Sequence, residues 1–244
     1  MSRQTWQARV ARMLDRIEAV PSAQELQPTH ADALHKLRLW QLERLRLCYK
    51  DLERVPRYRL ATLFFVNELY APKDRTVRYR SLRRILPMMN RVLPDRALEA
   101  LSIALELQAL SDELDVGLAQ TLLDQGVDVA ALTQAQYAQA YRLSERLADR
   151  HYQLKLLKLC GEELDRVVRL PLVIFALGIA RQPAKLAGLT DLHEFLESGC
   201  KSFAAMRGAD DFLRIITDRE REALARIEEG STEPFEAHCV PPRA

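Results

Sequence analysis

Glycine is scarce in this chain, 8 residues in 244. Sandwiches and nucleotide-binding α/β folds need many more at turns and phosphate loops, so the shortage favours helices. No GxGxxG, P-loop or GxSxG pattern occurs, which removes the familiar phosphate cradles and the hydrolase nucleophile elbow. Long apolar runs are missing as well: the longest, Leu170 to Ala180, is about half of the roughly 20 residues that a bilayer span requires. Nor is there an excess charge of one sign. With 36 basic and 34 acidic side chains the net charge is +2, so the molecule is not a polyanion binder by charge alone. Cys48, Cys160, Cys200 and Cys239 stand far apart with no CxxC spacing; three of them fall on apolar helix faces, where cysteine behaves as a small hydrophobe, and a reducing compartment is implied. The opening MSRQTWQARVARM reads as an amphipathic helix rather than a secretory leader. A cytoplasmic protein without integral membrane association is expected.

What is present points to one large helical domain. Hydrophobic residues make up 48% and charged residues 29%, enough to bury a core and solvate its surface. Trp6, Val10, Met13, Leu14 and Ile17 recur at spacings of three and four, which marks a first helix. A second is expected from about Ala31 to Val55, with Pro56 either kinking it or opening the next. The segment from about Arg57 to Ala71 is apolar nearly all round and is the candidate central helix. Pro87 should interrupt or restart a helix. From Pro94 to Gln125 only Gly117 breaks the pattern, so a helix of about 30 residues ending at a left-handed Gly126 is expected. Thr133 and Gln136 form a capping box for another long helix running through Leu164, and Pro171 and Pro183 bracket a short apolar one. Gly199, within the stripe Leu192, Phe195, Leu196, Phe203 and Met206, suggests a close backbone approach. The fold class is all-α, an irregular bundle of roughly eight to ten helices. Residues 1–230 form its single domain. Residues 231–244, rich in proline and without pattern, read as a disordered C-terminal tail.

The sequence FFVNELYAPKD resembles the family of bacterial all-helical proteins named for a Phe-Phe-Leu-Glu-Glu-Leu-Tyr motif. Phe64, Phe65, Glu68, Leu69 and Tyr70 match it, while Val66 and Asn67 replace its leucine and its first glutamate. The likeness continues through Pro72-Lys73-Asp74, Pro87-Met88-Met89, PAKLAGL from Pro183 and FLESG from Phe195. It implies a helical intracellular protein and supplies no chemistry.

Three groups of residues are candidates for function. Glu68, with Asn67 beside it, is a carboxylate on an apolar helix, where burial is costly unless the charge is paired or hydrogen-bonded. Either it anchors a ligand together with Tyr70 and His151, or it pairs with an arginine of the basic stretch that follows, in which case Glu68→Gln should destabilise the fold. That stretch holds Lys73, Arg75, Arg78, Arg80, Arg83 and Arg84, suited to a carboxylate or phosphate partner. The competing expectation is a solvated face paired with Glu106, Asp112, Glu113 and Asp115. Residues 31–96 carry 16 basic and 7 acidic side chains and residues 97–170 carry 7 and 12, a polarity that pairing across the core would use. No Glu-x-x-His signature marks a metal site; His193 with Glu197, and His151, read as hydrogen-bonded or surface histidines. Cys200 has no basic partner beyond Lys201, so no catalytic residue is assigned. The leading reading is a non-enzymatic binding or interaction protein with a buried polar centre at Glu68 and an acidic protein or small molecule as partner; nucleic acid is not expected. The alternative is an enzyme or carrier with an internal apolar pocket for a lipid, isoprenoid or haem-like ligand, which leaves no short motif. The sequence names no cofactor.

Overall fold

The computed structural model describes residues 3–22, 24–69 and 76–239. Among them are eleven α-helices and no strand, an all-α multi-helix bundle. In chain order the helices are α1 (Arg3–Ala19), α2 (Pro28–Cys48), α3 (Lys50–Arg54), α4 (Pro56–Phe64), α5 (Thr76–Val92), α6 (Asp95–Asp124), α7 (Gln134–Leu143), α8 (Leu147–Val167), α9 (Pro171–Leu186), α10 (Thr190–Met206) and α11 (Asp210–Glu228). A π-helical turn, Phe65–Leu69, continues α4.

The axis of the bundle is α6. Its 30 residues extend about 45 Å at 1.5 Å per residue, and α1, α2, α7 and α8 pack along it. Leucine and alanine on several faces of this helix are buried, among them Leu98, Leu105, Ala109, Leu110, Leu114 and Leu118. Its acids occupy the seams between neighbours. Arg9 and Arg16 of α1 meet Glu106 and Glu113, while Arg38 of α2 bridges Asp112 and Asp115. Gly126, at φ +66°, closes the helix as a Schellman cap, its N–H donating to the Leu123 carbonyl and the next N–H to that of Leu122. The Thr133–Gln136 capping box opens α7.

Several expected boundaries move. The segment from Arg57 to Ala71 is not the central helix: Arg57, Arg59 and Leu60 are exposed, and of its side chains described, from 57 to 68, only Ala61, Thr62 and Phe64 to Val66 are buried. Its apolar belt is about two turns long, too short to be surrounded by protein, whereas α6 carries such a belt over eight turns. Helix α2 stops at Cys48, and Pro56 opens α4 at its first turn. The long helix expected from Thr133 to Leu164 is two helices, because Glu145 adopts φ +53° after the Ser144 hydroxyl donates to the Tyr141 carbonyl. Pro87 and Pro183 lie inside α5 and α9. Both are exposed, where solvent serves the carbonyl that proline leaves unbonded. Gly199 does mark a close approach, since a Cβ there would stand 2.9 Å from the Phe64 ring.

The largest departure is at the C-terminus. Residues 231–239 have no helix yet dock on the core. Phe235 is buried with its ring centroid 5.8 Å from that of Tyr137 and 6.1 Å from that of Trp40. Cys239 is disulfide-bonded to Cys48 at the end of α2, which corrects the expectation of four unpaired thiols. A stretch that supplies isolated anchors rather than a continuous face leaves no periodicity to read. Among the described residues the apolar core divides into four clusters: one around α2, α7, α10, α11 and this tail, one around α1, α5 and α6, one between α6 and α8, and one joining the start of α6 to the end of α8 and to α9.

Candidate functional site

Between the four clusters lies a cavity of about 850 Å³. Helix α6 lines it from Ala97 to Asp115, a separation of 18 residues, so the cavity extends about 27 Å along that helix. Small side chains at helical spacing leave the space unfilled: Ala97, Ala100 and Ala104 on α6 face it, as do Ala176, Ala180 and Ala184 on α9. Its middle is apolar, lined by Leu101, Leu157, Leu177, Leu196 and Phe212. Toward the start of α6 it reaches the surface between α5 and α9, where Met88, Val92 and Ile179 line it and are exposed.

The other end is polar and buried. Arg38, Gln41, Arg44, Tyr137, Tyr141, Arg150 and Glu220 line it. Arg44 pairs with Glu220, which also accepts a hydrogen bond from the Tyr49 hydroxyl. Gln41 donates to Asp115, already held by Arg38. Arg150 is 4% exposed and differs from the other two arginines, because no carboxylate among the described residues pairs with it. It donates at 3.3 Å to the Leu114 carbonyl and at 3.4 Å to Gln153, and its guanidinium lies 4.2 Å over the Tyr141 ring. The Nε–H groups of both Arg150 and Arg44 find no acceptor among the described residues, an arrangement that native interiors rarely tolerate. Burial raises the Tyr137 and Tyr141 hydroxyls above the usual tyrosine range despite the two nearby arginines, so both keep their protons.

The residues singled out by sequence sit elsewhere. Glu68 is half-buried rather than enclosed, 3.6 Å from Arg78, and does not line the cavity. Asn67 is exposed and accepts a long hydrogen bond from Arg46. His151 is exposed on α8, 2.6 Å from Glu228. Tyr70, Lys73 and Arg75 lie outside the described residues. Of the basic stretch, Arg78 is buried, holds Asp191 through two hydrogen bonds of 3.0 and 3.2 Å and stands 4.1 Å over the Phe195 ring. Arg83 pairs with Asp15 and Glu18, and Arg84 donates to the Ala187 carbonyl. Arg80 is exposed. The acids expected to face this stretch are instead engaged by α1 and α2. Because Arg78 retains Asp191 when Glu68 is neutralised, Glu68→Gln is expected to change stability by less than about 1 kcal/mol. A loss above about 2 kcal/mol in a denaturant titration would mean that the carboxylate is buried in solution.

Two thiols and a histidine also line the cavity. Cys160 and Cys200 line it, but burial pushes the first thiol up to about 12 and the second to about 11, so neither is a thiolate nucleophile near neutral pH. His193 is buried, its Nε2 2.8 Å from the Leu177 carbonyl, while Glu197 is held by Arg181 and Lys201. No group of three His, Cys, Asp or Glu among the described residues could hold a metal ion.

These features define an all-α bundle built around an elongated, mainly apolar cavity with a buried polar end, where three arginines meet three carboxylates and Arg150 has no carboxylate of its own among the described residues. The chain belongs to the family described as a domain of unknown function, DUF8198, whose family model matches residues 21–234. No curated protein and no solved structure matches it.

Proposed function

We propose that the protein is a non-enzymatic binding protein that carries a small hydrophobic molecule in the cavity of its bundle. The cavity volume carries this reading. About 850 Å³ falls within the roughly 300–1,000 Å³ of sites that enclose drug-sized ligands. An enclosed dry void costs about 24 cal/mol per Å³, so the apolar middle, remote from the opening, is costly to leave empty. Water is a poor filling for its apolar middle, which offers few hydrogen-bond partners. A hydrocarbon ligand meets both conditions.

The reading extends to kinship and location. The Phe-Phe-Val-Asn-Glu-Leu-Tyr segment supports grouping the chain with the bacterial proteins of the related motif. We assign it to the cytoplasm, supported by two thiols, Cys160 and Cys200, left unpaired beside the cavity. No helix among the described residues is long and apolar enough to cross a membrane. The Cys48–Cys239 bond weighs the other way, since such bonds persist mainly in oxidising compartments.

The test is occupancy of the cavity by a neutral fluorescent probe, N-phenyl-1-naphthylamine. The wild-type protein is expected to bind it at one site. Ala104→Phe, which fills the middle of the cavity, is expected to weaken binding at least tenfold while leaving the melting temperature unchanged or raised. A variant that binds the probe as well as the wild type would remove the cavity as the site. Native mass spectrometry of protein purified from its own host would give the mass of the natural occupant.

A further inference from the structure

The two ends of the cavity differ in chemistry, and that difference selects among hydrophobic ligands. One end opens between α5 and α9 past Met88, Val92 and Ile179; the other closes on Arg150, Arg44 and Tyr141. Arg150 is a buried cation without a carboxylate partner among the described residues, and a buried charge in that condition is strongly destabilising unless something compensates it. Its Nε–H and that of Arg44 are donors with no acceptor among the described residues. Both side chains line the same space, and the Arg150 guanidinium lies 4.2 Å over the ring of Tyr141, which lines it too. An anionic oxygen there would supply the missing acceptor and the missing countercharge together.

We propose that the ligand is a single-chain carboxylic acid, its carboxylate held at Arg150 and Arg44 and its hydrocarbon chain running along α6 toward the opening between α5 and α9. The proposal rests on the cavity being a ligand site. Three features of the cavity set the class. The about 27 Å length along α6 suits a chain rather than a fused-ring body. The guanidinium fork matches a carboxylate with two parallel donors. Glu220, Asp115 and Asp112 line the same end, so a monoanion is favoured over a dianionic phosphate ester, whose second charge those acids would repel.

The experiment compares palmitic acid, its methyl ester, hexadecanol and hexadecyl phosphate as competitors of N-phenyl-1-naphthylamine, on wild-type protein and on Arg150→Gln. The acid is expected to bind the wild type at least tenfold more tightly than the ester or the alcohol, about 1.4 kcal/mol, and more tightly than the phosphate. Arg150→Gln should abolish that preference, and an unchanged circular-dichroism spectrum with a cooperative melt shows that the variant is folded. Arg150→Lys, which keeps the charge, should retain part of the preference. Equal binding of acid, ester and alcohol by the wild type, or a preference that survives Arg150→Gln, would overturn the assignment while leaving the cavity as a hydrophobic site. Tighter binding of the phosphate would overturn the carboxylate in particular. Failure of the probe and of every competitor to bind would instead remove the cavity reading itself. Should Arg150→Gln fail to fold, the four-ligand comparison on the wild type decides.

Discussion

Reducing the Cys48–Cys239 bond is expected to lower the melting temperature by about 10 °C. The two cysteines are 191 positions apart, so the bond restricts the unfolded chain over most of its length. A cross-link spanning such a distance contributes about 4–5 kcal/mol in the chain-entropy picture, and in a domain of this size each kcal/mol moves the midpoint by about 2–4 °C. The folded state adds to the effect, because Cys239 anchors the segment whose Phe235 packs beside Trp40 and Tyr137. Thermal melts of the air-oxidised protein with and without a phosphine reductant give the comparison, and Cys239→Ser should match the reduced curve and ignore the reductant. Coincident melts of oxidised and reduced wild type would show that the thiols are not bridged in solution.

Glu220→Ala should cost about 3–5 kcal/mol, measured by urea titration. Glu220 is the carboxylate partner of Arg44 and also accepts the Tyr49 hydroxyl. Burial by itself would lower the Arg44 pKa, yet the attraction of Glu220 more than offsets it and holds the guanidinium above its ordinary value. Removing the acid therefore leaves a buried cation and a buried hydroxyl without their acceptor at once. The double variant Arg44→Met, Glu220→Ala should recover part of the loss, since the stranded charge is gone. If Glu220→Ala stayed within about 1 kcal/mol of the wild type, water would be reaching the pair.

How far the sequence reveals this protein depends on what kind of signal each feature leaves. The stripe on α1, the 30-residue α6 with its Gly126 cap and the capping box of α7 are periodic or local, and all were legible. The break at Glu145 was not, because a hydroxyl-to-carbonyl turn and a left-handed glutamate carry no glycine or proline marker. The polar centre was sought at Glu68, where one carboxylate interrupts an apolar run. It lies instead at Arg44, Arg150 and Glu220, which come from three helices and look in sequence like ordinary surface charges. No spacing connects them. The cavity did leave a trace in Ala97, Ala100 and Ala104 and in Ala176, Ala180 and Ala184, small residues at helical spacing that read as tight packing unless the facing helix is also known to be small. The tail was missed because proline content argues against independent folding, and that argument says nothing about docking onto an existing surface.

The bridge between Cys48 and Cys239 also governs how the molecule carries force. Tension applied at the two ends of the oxidised chain passes from residue 48 to residue 239 through the sulfur atoms and bypasses everything between them. Only α1 and α2 could be drawn out. The helices from α3 to α11, including the cavity walls contributed by α6 and α8 to α11, would stay slack until the bridge was cut.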